Sequence, residues 1–262
     1  MPHDSASRPT GPSLVNEAFH SDLDGFYLRH HRAQTMATVL ERRAKYGARR
    51  LGRATVWDRL MSLRSINDES DADLEGMTQL GHALQTANSL AEAGLDEDWV
   101  VTGLVHDLGK ILIEHGAAQE FVVGDVFPVG CRYSPRIIRY EYLRQNPDWS
   151  NPAFQSPTGI YDAGCGLDNV VFCYGHDEYL YQVMKDHVPR AFAWTIRYHS
   201  FQSIAGDYLH LFSEEDRRLR ESHMTVFARH DLYTKDPQRV VTARLGEYEA
   251  LITRRFPDPI EW

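Results

Sequence analysis

The stretch VVTGLVHDLGKIL, residues 100–112, places ionisable side chains inside an otherwise apolar run. Its hydrophobic residues predict a buried helix that carries His106 and Asp107 into the protein interior. Burying a polar group without a partner costs about 2–7 kcal/mol, so these two side chains need a hydrogen-bond partner or a metal ion. Lys110 follows His106 by four residues and would lie on the same face of that helix. The stretch therefore predicts either a hydrogen-bonded histidine in the core or a metal site.

Most of the remaining chain shows apolar residues at helical spacing. The predicted helices cover 22–48, 54–65, 79–93, 96–115, 176–187, 190–202, 214–232 and 236–255. Residues 120–172 lack this period, and we expect them to form a long insertion with short β segments near 121–128 and 170–174. Residues 1–20 are predicted to be a loose tail. The pattern therefore predicts a mostly α protein, a helical bundle in a single domain over 21–262.

Charge and composition argue against several classes of protein. The chain has 28 Lys and Arg against 37 Asp and Glu, a net charge of −9, which disfavours binding to nucleic acid or an anionic membrane. No apolar run approaches the roughly 20 residues that span a bilayer. Three cysteines are too few for a disulfide scaffold, and the polar N-terminal segment does not resemble a secretory signal. We expect a monomeric, cytoplasmic protein.

Thirteen histidines in this acidic chain indicate chemistry based on nitrogen and carboxylate groups. Ligand-type residues occur in four further segments, at His82, His176, His199 and Asp231. Each has an alternative explanation, as a helix cap, a core histidine or a surface acid. A helical hairpin would place His82 opposite His106. Together with Asp107 the set suits iron or manganese, which prefer nitrogen and oxygen ligands over thiolates.

Other residues that could carry chemistry have ordinary interpretations. His30 and His31 sit in a basic helical stretch and are predicted to lie at the surface. The basic run 41–50 is predicted to be a solvated helix and turn, because the chain as a whole is acidic. No CxxC spacing among the cysteines indicates a second kind of metal site.

The order of the ligand-type residues resembles the metal-binding pattern of the His-Asp (HD) domain superfamily, and most closely its myo-inositol oxygenase branch. The strings that carry the resemblance are NDESDAD at 67–73, HALQTA at 82–87, HDLGK at 106–110, GDVFPVGC at 124–131, GHDEYLY at 175–181, RYHSF at 197–201 and DLYTK at 231–235. The similarity covers roughly residues 25–262, which is nearly the whole chain. A lone His-Asp pair is weak evidence, whereas these longer strings in the same order are specific.

The resemblance implies a chemistry and a set of residues for it. It implies two iron ions per chain, a mixed-valent Fe(II)/Fe(III) pair, and cleavage of the myo-inositol ring by O2 to D-glucuronate without an external reductant in each turnover. The implied metal ligands are His82, His106, Asp107, His176, His199 and Asp231. Asp107 would bridge the irons, and Lys110 would act with it in catalysis by contacting substrate oxygens at the iron. The implied substrate contacts are Asp68, Glu69, Ser70, Lys110, Gly124, Asp125, His199 and Ser200.

Two departures from the family concern the substrate. Only QSIA separates RYHSF from Gly206, a shorter connection than the family has. The N-terminal segment offers only Arg8 in place of the arginine with which the family covers its substrate. The alternatives are therefore a di-iron oxygenase acting on another cyclitol or a phosphonate, and a metal-dependent phosphohydrolase of the HD type. A non-enzymatic scaffold is disfavoured because all six ligand candidates are present.

Overall fold

The computed structural model describes residues 22–70, 77–232 and 242–262. The tail predicted over 1–20 and the first residues of the helix predicted at 236–255 lie outside these described residues. Within them the protein is mostly α, as predicted. The helices are α1 (Leu23–Ala33), α2 (Met36–Gly47), α3 (Val56–Ser62), α4 (Gln79–Glu92), α5 (Glu97–Val105), α6 (His176–Met184), α7 (Arg190–Tyr198), α8 (Glu214–Leu219), α9 (Thr225–Asp231) and α10 (Leu245–Arg255).

Helices α4 and α5 form the hairpin that the sequence predicts. The Thr78 hydroxyl accepts a hydrogen bond from the Gly81 amide at the start of α4, and Asp96 accepts two from the first turn of α5. The two helices approach closely, since a Cβ at Gly103 would lie 3.1 Å from the Ala87 backbone. This packing brings the first turn of α4 beside the C-terminal end of α5, which places His82 next to His106, the residue that follows α5.

Two of the predicted helices are interrupted within their hydrophobic pattern. The helix predicted over 22–48 is interrupted between α1 and α2, where the Thr35 hydroxyl caps α2. The helix predicted over 96–115 ends at Val105 and continues as a turn and a 3-10 helix, Leu108–Leu112. Gly109 of this 3-10 helix packs directly on the backbone of the first residue of α6. His106 and Asp107 therefore follow the end of α5 and do not lie in the middle of a helix.

The insertion at 120–172 has no β-strand among its residues, all of which the structure describes. The two predicted β segments, 121–128 and 170–174, meet in one isolated antiparallel bridge between Pro128 and Phe172, next to which the Cys173 amide donates to the Phe127 carbonyl. The two strands of the described chain lie elsewhere: β1 (Arg53–Ala54) pairs antiparallel with β2 (Ile260–Glu261). The two predicted β segments therefore pair with each other, but over too few residues to form a strand.

The predicted helix over 214–232 contains an irregularity. Between α8 and α9 the chain forms a π-helix, Arg220–Met224, and the Thr225 hydroxyl donates to the Arg220 carbonyl. The wider turn changes the angular phase of α9 relative to α8. With this phase Phe227 packs on the His106 ring, and Asp231 is buried at the end of α9. Among the described helices none combines the length and apolarity needed to cross a membrane.

Candidate metal centre

Six ligand-type side chains from five parts of the fold line one cavity of about 300 Å³. They come from the first turn of α4, the turn after α5, the first residue of α6, the residue after α7 and the last residue of α9. Each is no more than 7% exposed. They are the residues predicted as metal ligands: His82, His106, Asp107, His176, His199 and Asp231.

Asp107 lies between two pairs of imidazoles, with one carboxylate oxygen toward each pair. Its Oδ1 is 3.0 Å from the Nε2 of His176 and 3.5 Å from the Nε2 of His199. Its Oδ2 is 3.5 Å from the Nε2 of His106 and 3.8 Å from the Nε2 of His82. Two groups capable of holding a metal ion therefore share this one carboxylate. A bridging ligand between two metal ions requires this arrangement.

Asp231 completes the first of these groups. Its Oδ1 lies 2.9 Å from the Nε2 of His82 and 3.3 Å from the Nε2 of His106. Burial by itself raises the pKa of Asp231, but the neighbouring imidazoles outweigh it and hold that pKa well below its ordinary value. The carboxylate is therefore ionised, which is the form that binds a metal ion.

The outer nitrogens of the histidines fix which ring nitrogen faces the cavity. His106 Nδ1 is 2.9 Å from the Gly103 carbonyl, and His176 Nδ1 is 2.7 Å from the Val122 carbonyl. A carbonyl oxygen can only accept, so each Nδ1 donates and each neutral ring has its lone pair on Nε2. With both rings neutral, the Nε2 atoms of His106 and His176 present lone pairs to carboxylate oxygens. A proton or a metal ion must lie between such groups, and nitrogen and oxygen donors directed at shared points fit a metal pair.

The Asp177 carboxylate lies beside the Nδ1 atoms of His176 and His199, the two histidines of the second group. Its Oδ1 lies 2.9 Å from the Nδ1 of His199, and its Oδ2 lies 3.6 Å from the Nδ1 of His176. Burial raises the pKa of Asp177, but the two imidazoles outweigh it and lower that pKa to about 2. Burial likewise lowers the pKa of His199, and Asp177 and Asp107 outweigh it and raise that pKa well above its ordinary value. Asp177 was not among the site residues predicted from the sequence, although it directly follows a predicted ligand in the string GHDEYLY.

Lys110 connects the metal centre to the predicted substrate residues. Its Nζ donates to the Asp107 Oδ2 at 2.9 Å and to the Gln79 Oε1 at 2.9 Å, and lies 3.0 Å from the Asp68 Oδ2. Asp68 also accepts from the amide and the hydroxyl of Ser70. Burial raises the pKa of Asp68, but Lys110 outweighs it and lowers that pKa. The ammonium is thus held at the cavity wall between two carboxylates.

The cavity also collects most of the predicted substrate contacts. Besides the ligands and Lys110 it is lined by Asp68, Ser70, Gly124, Asp125 and Ser200. Burial raises the pKa of Asp125 to about 6. Glu69 is the predicted contact that does not line the cavity; its carboxylate lies 2.6 Å from the guanidinium of Arg29.

Five further residues line the cavity that were not predicted from the sequence: Tyr27, Ile138, Gln202, Ser203 and Leu232. No local sequence pattern identifies these residues, because their position in the cavity wall depends on how distant segments pack together. The surface prediction for His30 and His31 was wrong, because α1 packs both rings against Phe127 and leaves them 1% and 0% exposed.

Comparison with known proteins agrees with this geometry. A family model described as myo-inositol oxygenase matches residues 20–262. Inositol oxygenase 1 of Arabidopsis thaliana is 39% identical over 251 residues, covering 92% of this chain and 80% of the plant protein. Inositol oxygenase of Mus musculus is 36% identical over 267 residues, covering 99% of this chain and 91% of the mouse protein. The chain therefore belongs to the myo-inositol oxygenase family.

Proposed function

We propose that this protein is an inositol oxygenase that binds two iron ions, a mixed-valent Fe(II)/Fe(III) pair, and converts myo-inositol and O2 into D-glucuronate and water. The observation that carries the proposal is the shared carboxylate of Asp107, which faces two imidazole pairs beside a cavity lined by hydroxyl-binding groups. Ring opening to the aldehyde and carboxylate of the product removes four electrons from the polyol. O2 accepts these four electrons, so each turnover balances without another reductant.

The ligands divide between the two ions. His82, His106 and Asp231 would hold one iron, and His176 and His199 the other, with Asp107 bridging. Bound there, the irons would supply coordination for substrate hydroxyls and the redox chemistry for O2. The three imidazoles whose Nδ1 atoms donate to backbone carbonyls are fixed in orientation: His106, His176 and His199.

The residues around the metal centre favour a neutral polyol over an anion. Apart from imidazoles, Lys110 is the only cationic side chain among the described residues that line the cavity, and two carboxylates already flank it. Lys110 would donate a hydrogen bond to a substrate oxygen, while Asp68 and Asp125 would accept from hydroxyl groups. A phosphonate would meet these carboxylates with no second lysine or arginine among the described lining residues to pair with it. Several hydroxyls on one ring therefore match this cavity better than a single anionic group.

One experiment tests the proposal. Protein loaded with Fe(II) would be assayed for metal content and for oxygen uptake with a panel of inositols. We expect two irons per chain and one O2 consumed per D-glucuronate formed, with myo-inositol as the best substrate. Asp231→Asn should reduce the iron content, whereas Asp186→Asn, at an exposed position after α6, should not. One iron or none per chain, or release of phosphate from a phosphoester without oxygen uptake, would contradict the proposal. A two-iron protein inert toward every inositol would reject the substrate.

A further inference from the structure

His30 and His31 form a buried pair behind the wall of the cavity. Their Nδ1 atoms lie 3.1 Å apart, and the His31 Nε2 lies 2.7 Å from the Ile138 carbonyl oxygen. Neither ring lines the cavity or takes part in the metal centre. Two adjacent imidazoles with almost no exposure are costly to bury, so their contacts need an explanation.

The carbonyl of Ile138 fixes the protons of the pair. Because that oxygen only accepts, the His31 Nε2 must donate, and the neutral His31 ring then has its lone pair on Nδ1. His30 must therefore donate from its own Nδ1 to His31. The hydrogen bonds run in one direction, from His30 through His31 to Ile138. Burial lowers the pKa of both rings, which is consistent with neutral imidazoles.

Ile138 in turn holds a cavity carboxylate. Ile138 lines the cavity, and its amide donates to the Asp125 Oδ2 at 2.7 Å. The same residue thus accepts from His31 and donates to Asp125. The position of this loop determines where the Asp125 carboxylate points.

His30 also supports the neighbouring glycine of the wall. Gly124 has a φ of +101°, and a Cβ there would lie 2.9 Å from the His30 Cδ2 and 3.1 Å from the Phe26 Cε1. The imidazole is therefore packed against the Gly124 backbone, where no larger residue fits. Gly124 and Asp125 are both fixed by the pair, one by direct packing and the other through Ile138.

We propose that His30 and His31 are positioning residues that hold Gly124 and Asp125 in place for the hydroxyls of the polyol, and so determine substrate affinity. This inference rests on the proposed function, because Gly124 and Asp125 are its substrate contacts. It extends that function to two residues that touch neither substrate nor metal.

The test separates affinity from catalysis. His31→Phe keeps an aromatic ring against Phe127 but leaves the Ile138 carbonyl without its donor. We expect the KM for myo-inositol to rise on the order of ten-fold, with kcat changed less than about three-fold and iron content unchanged. His31→Gln, which can still donate to the carbonyl, should restore the KM to within about three-fold of the parent value.

A matched control is His210→Phe, which removes another 2.8 Å contact from an imidazole to a backbone carbonyl, that of Pro157, outside the cavity. Its KM should equal that of the parent. If His31→Phe does not fold, His30→Phe replaces the other histidine of the pair, and we expect the same rise in the KM. An unchanged KM in the folded variant, or a loss of iron with kcat, overturns the inference. Absence of oxygen uptake by the parent protein would instead reject the proposed function.

Discussion

Asp107 can serve both halves of the metal centre because its two carboxylate oxygens face different imidazole pairs. Burial raises the pKa of this carboxyl, but Lys110 and His106 outweigh it and hold the pKa well below its ordinary value. A bridging ligand must be anionic at neutral pH, and these neighbours keep it so. The sequence could predict Asp107 as a metal ligand, but it could not predict that each of its carboxylate oxygens faces a different imidazole pair.

Asp177 gives a prediction at the scale of a single residue. Asp177→Asn replaces the carboxylate beside the Nδ1 atoms of His176 and His199 by a neutral amide. We expect metal affinity at that half of the site to fall on the order of ten-fold, because carboxylates behind ligating histidines orient the rings and strengthen their donation. Titration with Mn(II) followed by metal analysis measures this. The exposed Asp186→Asn serves as control, and equal metal binding by both variants would contradict the prediction.

At the scale of elements, the end of α5 determines the geometry of the metal centre. In a continuous helix through 96–115, the side chains of His106 and Asp107 would project from different faces of the helix. The helix instead ends at Val105, and the following turn places both side chains in the cavity. Gly109 allows this by lying against the first residue of α6, which is itself a ligand.

The variant Gly109→Ala tests that contact. A Cβ at Gly109 would lie 2.2 Å from the His176 carbonyl oxygen, and backbone atoms cannot move aside as a flexible side chain can. We expect a loss of about 3 kcal/mol in the free energy of unfolding, measured by urea denaturation. Gly246→Ala in α10 meets no atom within 4 Å and should stabilise by about 0.5–1 kcal/mol. Similar stabilities for the two variants would show that the α5–α6 contact tolerates a methyl group.

Elements with strong periodicity were predictable, and those defined by their neighbours were not. The hairpin of α4 and α5 was predicted because its apolar spacing and polar caps are local properties. The insertion at 120–172 was predicted with short β segments, which pair only through one bridge, since short apolar runs do not reveal how far a pairing extends. The six predicted ligands do meet in the cavity, whereas Glu69 faces Arg29 instead.

At the scale of the whole molecule, the metal centre connects five separated parts of the chain. Helices α4, α6 and α9 and the segments that follow α5 and α7 each bring charged or polar groups into one buried volume. Metal ions bound between these groups would join all five parts of the chain. Metal binding is therefore coupled to the stability of the whole fold.

Removing metal should lower the melting temperature. A ligand present at 100 times its Kd stabilises the folded state by about 2.7 kcal/mol, and for a domain of this size that corresponds to about 5–10 °C. We expect calorimetry to show a fall of this size after chelation, and its reversal by Mn(II), which does not require redox chemistry. The Asp107→Ala variant should show a smaller metal-dependent shift. Equal melting temperatures with and without metal would contradict the coupling.

The sequence by itself determined the mostly helical fold and the residue types of the metal centre, because helical periodicity and the need of buried imidazoles and carboxylates for partners are local physical constraints. Only the tertiary structure decided which atoms face each other. It placed the two oxygens of Asp107 toward different imidazole pairs, Asp177 behind one pair, and the His30–His31 pair behind Gly124. These arrangements depend on how distant elements pack, and burial and hydrogen-bond partners are properties of that packing and not of any one segment.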